Sequence, residues 1–134
     1  NSRGGSCILV HKNLDSKSRL DLSFLNEEGV FEGAFIEIDS MKCVIISIYR
    51  SPGYNTSNAF LSKLKILFKK LEKESKNKKI IIASDFNINL MANDSLTISF
   101  QEMINHFGFT FNNKEPSRIT NSSSSCIGNI LTSK

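Results

Sequence analysis

Ile80-Ile81-Ile82-Ala83, four apolar residues without alternation, stops abruptly at Ser84-Asp85-Phe86-Asn87. An unbroken β-branched run of this length reads as a strand buried on both faces, at the centre of a layered α/β sheet. The polar residues that follow bring a carboxylate and a carboxamide to the rim of that sheet. Asp85 and Asn87 stand two apart, so persistent strand geometry points both side chains the same way. An oxygen-rich edge of this kind suits a hard cation and a phosphate. The same residues also suit a turn, because Asp and Asn bond back to their own backbone.

CVIISIYR (43 to 50) reads as a second fully buried strand, stopped by Pro52. Proline cannot continue a central ladder, which leaves Tyr49 near the strand's C-terminal rim. Tyr49 there is either a site residue or core filling, and Arg50 reads as a surface charge. Between these two strands, Phe60, Leu64, Leu67, Phe68 and Leu71 recur at helical spacing after caps at Asn55 to Ser57. Lys63, Lys69, Lys70 and Lys73 occupy the opposite face, and Lys70 to Lys79 reads as a solvated exit loop.

The flanks are read in the same way. Arg3-Gly4-Gly5-Ser6 is a glycine turn into a short apolar strand, Cys7 to Val10. RLDLSFL (19 to 25) alternates, giving a half-exposed strand with Leu20, Leu22 and Phe24 on one face. After a turn at Glu27-Glu28-Gly29, residues 31 to 39 put Ala34, Ile36 and Ile38 inward and Glu37 and Asp39 outward. Asn93-Asp94-Ser95 caps a second helix with the stripe Leu96, Phe100, Met103, Ile104 and Phe107, and His106 suits the dipole of its last turn. Phe109 to Phe111 is a short strand, Asn121 to Ser125 a serine-rich connection, and Cys126 to Leu131 a last strand. The order predicts an α/β fold, a mixed sheet layered with helices.

Length and charge bound the rest. The 134 residues make room for one domain or part of a larger one, and a net charge of +4 is compatible with a polyanionic partner. Cys7, Cys43 and Cys126 have no zinc spacing and read as reduced thiols of an intracellular, nuclear or cytoplasmic protein. Asn-x-Ser sequons begin at Asn55, Asn93 and Asn121 and read as chance occurrences. No apolar run approaches membrane-spanning length. A start at Asn that leads almost at once into a strand reads as an excised piece.

Five segments in order, RGGSCILV, CVIISIYRSP, KIIIASDFNINL, GF with EPSRIT, and SSSSCIGNILT, resemble the endonuclease/exonuclease/phosphatase superfamily. The form they are similar to is the target-nicking endonuclease of non-LTR retrotransposons, and the resemblance covers Arg3 to Thr132. It implies a partial four-layer α/β/β/α sandwich with mixed sheets, one partial domain over residues 1–134. It further implies a Mg2+- or Mn2+-dependent phosphodiesterase nicking DNA, with no small-molecule cofactor and a reverse transcriptase domain in the parent chain. By the same resemblance, Asp85 positions or deprotonates the attacking water and is the one metal ligand present. Asn87 holds the scissile phosphate, and the Tyr49 hydroxyl contacts it.

Departures from the family pattern are also visible. Ser84 stands where the family has glycine, and a position needing positive φ would be strained. Gly128 stands where the family has the aspartate that orients the catalytic histidine, which implies an impaired enzyme. The family's metal-binding glutamate and its Ser-Asp-His segment have no counterpart, and His11 and His106 match no family histidine. The alternatives are a phosphatase of the same superfamily or a non-catalytic nucleic-acid-binding relic.

Overall fold

The computed structural model describes residues 4–134, so Arg3 of the expected glycine turn lies outside the described residues. Its strands are β1 (Lys17–Ser18), β2 (Glu32–Ile38), β3 (Cys43–Tyr49), β4 (Lys79–Asp85), β5 (Phe109–Phe111), β6 (Arg118–Ile119), β7 (Ser124–Ser125) and β8 (Gly128–Ser133). Two helices join them, α1 (Ser57–Leu71) and α2 (Ser95–His106). Six strands form one mixed sheet in the order β1-β2-β3-β4-β8-β5, and β6 pairs with β7 in a separate ribbon. Only β3 and β4 run parallel within the sheet, and α1 makes the crossover between them, as a parallel pair requires.

Both helices pack on one face of the sheet. Val44, Ile46 and Ile48 of β3, with Ile80 and Ile82 of β4, share a core with Phe60, Leu64, Leu67, Phe68 and Leu71 of α1 and Phe100 and Ile104 of α2. The predicted helical stripes are the ones buried, apart from Leu96, Met103 and Phe107, which pack half-buried against the core. Asp94 caps α2 by accepting from the Thr97 amide at 2.8 Å, which holds its carboxyl below the usual carboxylate range.

The two apolar strands are buried on one face, not on both as expected. Ile45, Ser47 and Tyr49 in β3, and Ile81 and Ala83 in β4, are only half-buried. That opposite face carries no helix among the described residues and is crossed in part by the chain around Ser6, whose hydroxyl hydrogen-bonds Ser47 at 2.5 Å. Of the four layers implied by the resemblance, the described residues supply a helical layer and one six-stranded sheet.

Several local expectations are corrected. Cys7 to Val10 forms no strand and pairs with none, and Leu9 is 94% exposed. Residues Leu20–Leu25 form a 3-10 helix that buries Leu22 and Leu25, three apart, and leaves Leu20 and Phe24 exposed. In β2 the register pairs Phe35 with Ile46 and Glu37 with Val44, so Phe35 and Glu37 face the helices with those buried partners. Glu37, expected outward, is 3% exposed and sits between Arg19 and Lys78. Asp39 is exposed as expected. The exit loop after α1 joins the same cluster through Glu74, which pairs with Arg19 at 2.8 Å. The serine-rich connection contributes β7, closed on β6 by a turn in which Thr120 and Ser123 bond each other. The last strand begins at Gly128, two residues later than expected.

Candidate active site

Tyr49 ends β3, Asp85 ends β4 and Gly128 begins β8, and the three are paired in register across the sheet. Residues paired in this way project from the same face, here the face without helices. Tyr49 and Asp85 line one open hollow with Gly5, Ser6, Cys7, Ser47 and Ser84. Gly4 packs against the Tyr49 ring: a Cβ at this position would lie 2.3 Å from Tyr49 Cε1, and its φ is +135°. Only a glycine lets the backbone pass this close to the phenol ring.

The strand ends at Asp85, and the chain makes a tight turn. The Asn87 amide donates to Asp85 Oδ1 at 3.1 Å, and Asn87 has φ +49°. Of the two alternatives on the sequence the turn is the one formed: the strand ends at Asp85, whose carboxylate closes the turn that carries Asn87, so strand geometry does not persist to position 87. The Asn87 side chain donates to the Arg50 carbonyl at 2.5 Å, while the Arg50 amide donates to the Asp85 carbonyl at 3.1 Å. The structure thus brings Tyr49 and Asp85 into one hollow. Asn87 instead lines the neighbouring one, with Arg50, Pro52, Gly53, Ser57 and Thr97.

Arg50 is the residue that sequence reasoning missed. It is 2% exposed rather than a surface charge. Its Nε donates to Phe86 O at 2.7 Å, Nη2 to Asn87 O at 2.8 Å and Nη1 to Gly53 O at 3.0 Å. The guanidinium lies over the Phe60 ring, 5.7 Å from its centroid. Burial pulls its pKa down, against the upward effect of the Asp85 charge. The signal for it is faint: an arginine immediately after a strand and two residues before a proline.

Ser84 is not strained. It lies within β4, outside the left-handed region, and its hydroxyl donates to the Ile48 carbonyl at 2.7 Å. At Gly128 a Cβ would meet only Ser84 O at 3.7 Å and Ser117 Oγ at 3.9 Å, so the position has room for a side chain. Ser117 Oγ accepts from the Ile127 and Gly128 amides at 2.9 and 3.1 Å and fixes the start of β8 beside Asp85. His11 and His106 are exposed and line neither hollow.

Among the described residues no three His, Cys, Asp or Glu side chains cluster as a metal cage. Asp85 is the sole carboxylate lining its hollow. This donor set does not fit a resident ion. Mg2+ takes one or two carboxylates and completes its shell with water and substrate oxygens, so a lone carboxylate would hold it only together with a substrate.

No protein-family model matches the chain, and no curated protein does. Solved structures do. The endonuclease domain of TRAS1, a telomere-specific non-LTR retrotransposon, superposes with a TM-score of 0.66 at 14% identity, over 92% of this chain and 57% of that one. Humanized D. rerio TDP2 superposes with a TM-score of 0.57 at 13% identity, over 90% of this chain and 51% of that one. D. rerio TDP2 in complex with single-strand DNA product gives a TM-score of 0.52 at 13% identity, over 90% and 52%. The chain spans a little over half the length of these structures. At such identities the likeness concerns architecture, and it agrees with the mixed sheet and its helical layer: the chain has the fold of the endonuclease/exonuclease/phosphatase superfamily.

Proposed function

We propose that the chain carries the central part of a phosphodiesterase site that acts on DNA, and that its own catalysis is impaired. The supporting observation is the in-register pair Tyr49 and Asp85 on one hollow, with Asn87 locked to Asp85 by a two-residue turn. Asp85 orients a water and accepts its proton. Tyr49 donates its hydroxyl to a non-bridging phosphate oxygen in that hollow, and Asn87, which lines the neighbouring hollow, offers the amide hydrogen not engaged by Arg50 to a phosphate oxygen there. Donors aimed at oxygens that gain negative charge in the transition state are the largest usual contribution to such a reaction. A Mg2+ or Mn2+ held by Asp85 together with the substrate would stabilise the departing oxygen. DNA as the substrate is supported by the likeness to a retrotransposon endonuclease domain.

The impairment follows from Gly128. The strand position in register with Asp85 has no side chain, so nothing there orients an acid–base partner. A missing general acid–base function lowers rates by about 10²–10⁴-fold. The purified chain is therefore expected to leave supercoiled plasmid essentially intact in Mg2+. Nicking that needs Mg2+ and is abolished by Asp85→Ala would show a complete site and overturn the impairment. A salt-dependent gel shift without nicking would support DNA binding by this chain.

A further inference from the structure

We propose that Arg50 is a positioning residue for Asn87, and that its guanidinium fixes the direction in which the carboxamide faces a phosphate. What Asn87 meets rests on the functional reading above; what holds Asn87 rests on geometry alone. Asn87 has φ +49°, in the left-handed region that asparagine enters more readily than other non-glycine residues. Two peptide planes flank its Cα, and one guanidinium holds both. Nε takes the Phe86 carbonyl at 2.7 Å and Nη2 takes the Asn87 carbonyl at 2.8 Å. Because the guanidinium is planar and rigid, pinning both planes sets φ and ψ of Asn87 together. The side chain is then returned to the same residue, donating to the Arg50 carbonyl at 2.5 Å.

The clamp is itself anchored. Nη1 takes Gly53 O at 3.0 Å and reaches the Thr56 and Ser57 hydroxyls at 3.3 and 3.5 Å, at the start of α1. The Arg50 amide takes the Asp85 carbonyl at 3.1 Å. The ends of β3 and β4 and the first turn of α1 therefore move as one body, with Asp85 and Asn87 attached to it. The hydrogen-bond acceptors of this 2% exposed cation are all neutral oxygens. A lysine, one compact ammonium on a flexible stem, cannot hold two carbonyls in this fork geometry.

The test follows the Asn87 side-chain amide pair in the 15N-labelled chain, identified by its loss in Asn87→Ala. In Arg50→Lys the pair is expected to move to the position of a free asparagine while the core amide signals stay in place. Affinity for a short DNA duplex with Mg2+ is expected to fall about tenfold, the loss of one charge-assisted hydrogen bond. A folded Arg50→Lys chain with an unmoved Asn87 pair overturns the proposal, even if its melting temperature drops. If the unsubstituted chain binds no duplex, the functional reading fails, and the free-state signals still decide the role of Arg50. If Arg50→Lys does not fold, the unsubstituted chain decides: an Arg50 Nε–H signal that persists for minutes in D₂O supports the clamp, and one lost at once overturns it.

Discussion

Glycine 4 and tyrosine 49 show how one missing Cβ shapes the rim. Any side chain at position 4 must displace the phenol ring, since its Cβ would come within 2.3 Å of Tyr49 Cε1 at a φ that already favours glycine. Gly4→Ala is expected to cost about 1–3 kcal/mol by forced repacking and to shift the Tyr49 ring signals in NMR spectra. Unchanged Tyr49 signals in a folded variant would mean that the contact does not exist in solution. At this scale the sequence was only partly legible. Asp85 at a strand end followed from the apolar run before it. The direction of Asn87 did not, because it depends on a left-handed residue held by Arg50, whose contacts come from residues 3 to 37 positions away.

Among the elements, the helices and the central strands were readable because periodicity is local information. The Phe60 to Leu71 stripe repeats every three or four residues, and Ile80 to Ala83 has the β-branched content of a strand. The misread elements are those where tertiary pairing selects the face. Residues 19 to 25 alternate like a strand but bury Leu22 and Leu25 in a 3-10 helix. Alternation in β2 puts Glu37 on the helical side because Phe35 must pack there too. Glu37 then needs Arg19 and Lys78 beside it, and the hydrogen bond from Lys78 to Glu37 raises the lysine pKa. Removing one partner of a buried charge cluster is costly. Arg19 keeps Asp21 and Glu74, so Glu37→Ala is expected to cost about 2 kcal/mol, less than for an isolated buried pair. A urea midpoint equal to that of the unsubstituted chain would contradict this.

For the whole molecule, the decisive feature is the asymmetry of the sheet. One face is sealed by α1 and α2, and the other shows half-buried Ile36, Ile45, Ile81 and Ala83 with Ile130 at 49% exposure. Apolar strand surface of this kind promotes self-association. Light scattering of the chain is expected to rise with concentration and to fall in Ile130→Lys, which places a charge on the open face. A monomeric chain that melts cooperatively at all concentrations would count against this. No helix among the described residues is long and apolar enough to cross a membrane. The fold class was legible in the sequence, but the one-sided burial was not, since an apolar run reads the same whether one face or both are covered.

The central claim is that phosphodiester binding converges on the rim where β3 and β4 end. Its most direct measurement is a backbone amide shift map of the 15N-labelled chain titrated with a short DNA duplex and Mg2+. The account predicts that the largest shifts fall at Tyr49, Arg50, Asp85 to Ile88 and Gly128, and that they disappear in Asp85→Ala. Shifts confined to the exposed lysines of α1, with the rim unmoved, would contradict it.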